Sequence, residues 1–232
     1  MVFSIDATVF GTLPALCVGV VTAEGIDNTA AHVPAIDALL DEAVRDAERR
    51  LEGVHASEDP RVQPYREAFH ELGMSPSRYP SSNIALLRRI AKGKGLWRVN
   101  PVVDLGNAVS IKYGLPLGAH ALDEKDVLEL RFSRPDDVFV ALGETGADAT
   151  LAPGELVYAV DGLVHTRRWT WRQSENGKVE PSTTRIAFPI DGFADVNEAE
   201  VRAACEELAA VLRNEFGARV EVFLASADAP SA

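Results

Sequence analysis

Apolar positions along the chain change their spacing about half-way. In the first half they return every three or four residues. Ile36, Leu39, Leu40, Ala43, Val44, Ala47 and Leu51 make one such stripe, and Gly53 follows it, which predicts an amphipathic helix. Asp59-Pro60 opens a second helix through Val62, Tyr65, Phe69 and Leu72, closed by Gly73. Ser81 and Ser82 are N-cap candidates for a third, through Ile84, Leu87 and Ile90. Asn100 before Pro101 starts a fourth, which runs through Val103 and Val109 to Tyr113 and stops at Gly114. The second half turns to period two. Leu128, Leu130 and Phe132 alternate with Glu129 and Arg131, and 138–142, 156–160, 164–173 and 184–190 are further strand candidates. Asn176-Gly177 marks a turn between the last two. Two apolar elements break the division. Leu13 to Val21 is short and valine-rich and reads as a buried strand, ahead of the helices. Near the end, Asn197 with Glu200 has the form of a capping box. It precedes a stripe of Val201, Cys205, Leu208, Leu212 and Phe216, then Gly217 and a strand with Val220, Val222 and Leu224. Residues 226–232 read as a frayed tail.

Helices first, strands second, and a closing helix and strand point to an α+β fold, read as one domain over residues 1–232. Hydrophobic residues at 47% and charged residues at 25% exclude wholesale disorder. No apolar run approaches the ~20 residues of a membrane-spanning helix, and the N-terminus has no signal-peptide pattern, so a cytoplasmic protein is expected. Cys17 and Cys205 cannot form a disulfide framework and read as reduced core thiols.

Charge adds a second layer. The net charge of −12 argues against a general nucleic-acid binder. Yet residues 72–103 contain no acid and carry Arg78, Arg88, Arg89, Lys92, Lys94 and Arg98. A second acid-free stretch, 162–174, holds His165, Arg167, Arg168 and Arg172. Such stretches on an acidic body either steer a polyanion to one face or are simply solvated. Generic catalytic motifs are missing: there is no Gly-x-Ser-x-Gly, His-Glu-x-x-His or phosphate-binding loop, and the five histidines are scattered. No metal site or cofactor is expected.

One block is distinctive. Asn100-Pro-Val-Val-Asp-Leu-Gly-Asn-Ala-Val-Ser-Ile-Lys-Tyr-Gly-Leu-Pro-Leu-Gly118 resembles the editing (B3/B4) domain of the phenylalanyl-tRNA synthetase β subunit. Asn100, Val102, Val103, Asp104, Asn107, Val109 and Pro116 match without a gap. Ser81 to Arg89, Gly154 to Tyr158 and Trp169 to Gln173 resemble the freestanding relatives of that domain, so the likeness spans about residues 60–225. It implies a three-layer α+β fold with a central β-sandwich flanked by helices. It also implies hydrolysis of an amino acid wrongly esterified to tRNA, with tRNA as partner, or else a non-catalytic tRNA- or amino-acid-binding module on the same fold.

The departures bear on chemistry. The synthetase has threonine where this chain has Gly106, histidine where it has Gly118, and a glutamate near Pro189. Glycine at both positions implies added volume and a pocket for an amino acid other than tyrosine. Asn107 is the first candidate catalytic group, as an amide that can hold a water or the ester carbonyl, or else a structural hydrogen bond. His120, two positions past the missing histidine, is the second. The substrate-binding candidates are Asp104, Gly106, Gly118, Trp169, Trp171 and Gln173. Both tryptophans and Gln173 would share one face of a strand, with Arg168, Thr170 and Arg172 on the other. Arg78, Arg88, Arg89, Lys92, Lys94, Arg168 and Arg172 are the candidates for tRNA phosphates.

Overall fold

The computed structural model describes residues 1–146, 148 and 151–231. Two sheets form its centre. The first has the order β1-β4-β5-β6-β7, from β1 (Phe3–Ile5), β4 (Leu128–Phe132), β5 (Leu156–Val160), β6 (Leu163–Arg167) and β7 (Arg172–Gln173). The second has the order β3-β8-β2-β9, from β3 (His120–Ala121), β8 (Arg185–Phe193), β2 (Leu16–Glu24) and β9 (Arg219–Ala225). Every pair in the second sheet is antiparallel, whereas β1 joins β4 in parallel. The sheets meet through one apolar core in which Phe3 of β1 lies 6.4 Å from the Tyr158 ring and 6.2 Å from Phe223 of β9.

Helices cover the sandwich. Side chains alternate along β2, so Val18 and Val20 turn inward while Gly19 faces α5 (Glu198–Phe216). A Cβ on Gly19 or Gly192 would overlap Val201, and at Gly19 also Cys205, so these glycines let α5 approach the sheet closely. Cys17 and Cys205 are both buried free thiols, each pushed up to about 12 by burial. A second apolar cluster joins α1 (Pro34–Arg50), α3 (Ser82–Ala91) and α4 (Pro101–Tyr113) through Leu40, Ala43, Leu87, Ile90, Ala108 and Ile111. The remaining helix, α2 (Gln63–Glu71), gives Tyr65 and Phe69 to the main core. Thus the chain is α+β, with the expected central sandwich and flanking helices. No helix among the described residues is long and apolar enough to cross a membrane.

The start of α4 follows its sequence signal: Asn100 Oδ1 accepts from Val103 N at 3.0 Å, and Gly114 ends the helix at φ +73°. Elsewhere four expectations are corrected. The run 164–173 is not one strand, because residues 168–171 form a turn in which Arg168 and Trp169 take φ values of +51° and +60°. Residues 138–142 contribute only isolated bridges, Val138 to Leu163 and Ala141 to Ser174. Asn197 makes no cap bond to α5; its Oδ1 accepts from Phe193 N and its Nδ2 donates to Tyr65 Oη. The tail does not fray through Ser231, since Ile5 N donates to Pro230 O at 2.8 Å and Ser231 bridges Ser4.

Candidate functional site

A cleft of about 130 Å³ opens between the sheets, beside the start of α3. Its walls come from seven places in the chain: Ser82 of α3, Leu117 and Gly118 after α4, His120 of β3, Tyr158 of β5, Thr166 of β6, residues 169–171 and Gln173 around the turn, and Asp191 of β8. Leu117, Gly118, Trp171, Gln173 and Ser82 are partly exposed and form the rim. His120, Tyr158, Trp169, Thr170 and Asp191 are buried and form the floor.

Register explains why a carboxylate reaches that floor. Ala187, Pro189 and Asp191 share one face of β8, and His120 pairs opposite Ala187 on the same face. From there Asp191 Oδ1 crosses to the other sheet, accepting from Tyr158 Oη at 2.6 Å and from Trp169 Nε1 at 2.6 Å. The left-handed backbone at Arg168 and Trp169 carries the indole N–H to this point. Two consecutive non-glycine residues in that region are costly, and such strain gathers at functional sites. Tyr65 Oη steadies the strand by donating to the Asp191 carbonyl at 2.9 Å. Burial pushes the Asp191 carboxyl up to about 7, against the two hydrogen bonds, which favour its charged form.

A pair of imidazoles begins at the cleft wall with His120. His120 stacks on His165 with centroids 5.6 Å apart and planes 18° apart, and it lies 5.5 Å from the Tyr158 ring. Burial lowers both histidines, His120 well below the usual value and His165 to about 4, so both are neutral near pH 7. His120 Nδ1 and Thr170 Oγ1 are buried and have no hydrogen-bond partner among the described residues. Gln173 Nε2 is tied to Ala119 O at 3.2 Å.

The cleft therefore gathers Gly118, His120, Trp169, Trp171 and Gln173, but not the helical candidates. Asn107 is half-buried on α4 and does not line the cleft. Asp104 is buried and accepts from Val99 N at 3.1 Å, holding the loop before α4. Trp169 serves core and cleft together, with its ring 5.7 Å from Phe69 and 6.1 Å from Tyr65. The expectation of added volume at the glycines is corrected. A Cβ on Gly106 would stand 3.1 Å from Leu117 Cδ2, and one on Gly118 would stand 2.6 Å from His120 Nε2. Neighbouring side chains occupy the space that the two glycines leave. Asp191 escaped the sequence reading; its signal was a lone carboxylate in the otherwise apolar strand 186–193.

The cations are unevenly free. Arg98 is paired with Asp37 and Asp41, Arg168 with Glu155 at 3.1 Å and Arg172 with Glu144 at 3.6 Å. Arg89 sits 3.5 Å above the ring of Trp97, which is 71% exposed. Arg78, Lys92 and Lys94 are exposed. The pKa of the Arg88 guanidinium is lowered by burial and by the charge of Arg66, whose buried Nη1 has no hydrogen-bond partner among the described residues. Neither Arg66 nor Arg88 forms an ion pair among the described residues, and Arg66 had not been singled out in the sequence. At the rim, Arg168 lies 3.9 Å from the Tyr79 ring centre, and Tyr79 meets Trp171 edge-on at 4.9 Å.

Among curated proteins none matches the chain. A solved structure, an N-terminal fragment of the phenylalanyl-tRNA synthetase β subunit from Pyrococcus horikoshii, is similar at 10% identity with a TM-score of 0.46. The match covers 94% of this chain and 50% of that fragment, so the chain spans about half the fragment's length. The family model of the B3/4 domain matches residues 64–220, which include α2 from its second residue, α3 to α5 and the residues that line the cleft; the chain belongs to the B3/4 domain family.

Proposed function

We propose that this protein is a trans-acting aminoacyl-tRNA deacylase, which hydrolyses the ester between a wrong amino acid and the terminal ribose of a tRNA. One observation carries the reading. In a B3/4 domain chain, a buried carboxylate, pushed up to about 7 by its burial, lines a cleft open at its rim. An aminoacyl ester is already activated, so the site needs a placed water, a base and a donor for the developing oxyanion.

Asp191 is the base. Both of its hydrogen bonds fall on Oδ1, which leaves Oδ2 for a water. As the water oxygen bonds to the ester carbonyl carbon, its proton passes to Asp191. When the bond from that carbon to the ribose oxygen breaks, the proton passes on to the ribose. Tyr158 and Trp169 fix the plane of the carboxylate and stabilise its charged form. Thr170 Oγ1, buried without a partner, is placed to donate to the oxyanion, and neutral His120 offers Nδ1 to the water or the amino group. Arg66 and Arg88, with Arg78, Lys92 and Lys94, face the phosphates of the acceptor end.

The test is deacylation of a panel of mischarged tRNAs by the wild type and by Asp191→Asn. The variant should lose about 10²- to 10⁴-fold in rate. The wild-type rate should rise with pH through about 7, as the carboxyl ionises. Retention of the rate in the variant would remove Asp191 as the base, and failure to cleave any ester would end the deacylase reading.

A further inference from the structure

We infer that the cleft is a size filter, taking small acyl groups such as alanyl, seryl, threonyl or valyl and turning aromatic ones away, with Leu117 and His120 setting the limit. The nature of the ester rests on the deacylase reading; the size limit rests on packing alone.

The cleft measures about 130 Å³. An enclosed cavity of about 150 Å³ takes up a benzene molecule. A tyrosyl group brings that ring together with a methylene and a hydroxyl, and its α-ammonium and ester must also be seated. The two positions where glycine would open space are closed by Leu117 over Gly106 and His120 over Gly118. His120 is backed by His165, on which it stacks, and His165 in turn lies against Gly177, where a Cβ would overlap its ring. Trp169 is equally fixed, by its bond to Asp191 and by Phe69, Tyr65 and Phe193 around it. Close-packed walls of this kind exclude an oversized group instead of yielding to it.

Two measurements with one set of acyl groups test this. The first is hydrolysis of tRNAs esterified with alanine, serine, threonine, valine, phenylalanine or tyrosine. The second is calorimetric binding of adenosine analogues that carry alanine, serine or tyrosine through a stable 3′-amide. Small esters should be cleaved at least about tenfold faster than aromatic ones, and small amides bound at least about tenfold more tightly than the tyrosyl amide. Leu117→Ala and His120→Ala should each raise the tyrosyl-to-alanyl ratio by about tenfold or more. Because the readout is a ratio, partial unfolding of a variant scales both terms alike. If no ester is cleaved while small amides still bind preferentially, the deacylase reading falls and the filter stands. Equal handling of small and aromatic groups, preference for the aromatic ones, no binding of any amide, or unchanged ratios in both variants would overturn the filter.

Discussion

Gly118 and Gly177 bracket a pair of imidazoles, in the order glycine, His120, His165, glycine, and each glycine stands where any side chain would meet a ring. A methyl group at position 118 would lie 2.6 Å from His120 Nε2, and the ring behind it is backed by His165. Gly118→Ala is therefore an overpacking change, expected to cost about 1–3 kcal/mol. Gly106→Ala makes the opposite case with the same chemistry. Its methyl would touch only the end of the Leu117 side chain, at 3.1 Å, inside α4. Alanine gains up to about 1 kcal/mol over glycine in a helix interior, so this variant should be close to neutral. Denaturant titrations of the two variants check the contrast: the midpoint should fall for Gly118→Ala at an unchanged slope and hold for Gly106→Ala. Equal midpoints would show that the imidazole pair gives way as readily as a leucine methyl.

At the level of elements, α3 carries the central part of the proposed phosphate contacts. Its Arg88 lies beside Arg66 of α2, a like-charge pair in which neither arginine forms an ion pair among the described residues. Phosphate binding would relieve it. Arg66→Gln with Arg88→Gln should weaken tRNA binding and make the slope of log affinity against log salt shallower by about one to two. Arg98→Gln should leave that slope alone, because its charge is spent on Asp37 and Asp41. Filter binding over a salt series reads both variants, and an unchanged slope in the double variant would make the pair a solvated surface. Helix α3 also shows what the sequence made legible. Stripes and stops placed α1 to α5, with a cap bond at α4 alone, because they act within a few residues. The strand run 164–173 was misread because alternation continues through Arg168 and Trp169, whereas the turn there is held by distant partners, Asp191 on the indole and Ser82 N on the Thr170 carbonyl. The site was half legible for the same reason. Motif likeness pointed to the stretch that ends at Gly118 and to Trp169, whereas Asp191 matters through partners 22 and 33 residues away.

For the molecule as a whole, the space between the sheets holds titratable groups of opposite tendency, and stability should record both. An unfolded histidine takes up a proton below about 6.5. His165 refuses one until about 4 and His120 is lowered as well, so the pair costs stability as the pH falls from about 6.5. Asp191 runs the other way. An unfolded carboxyl ionises above about 3.9, but this one keeps its proton to about 7, so the folded state loses stability as the pH rises between those values. In the wild type the two slopes oppose each other between about 4 and 6.5. Asp191→Asn keeps an oxygen for Tyr158 and Trp169 while removing the charge, and so it should expose the histidine slope alone. Melting temperatures at pH 5 and pH 8 make the comparison. The difference between variant and wild type should be more favourable to the variant at pH 8, where the wild type holds a buried charge and the variant does not. A difference that is the same at both pH values would mean that Asp191 does not change charge across this range. That outcome would also remove the near-neutral carboxylate on which the proposed water activation depends.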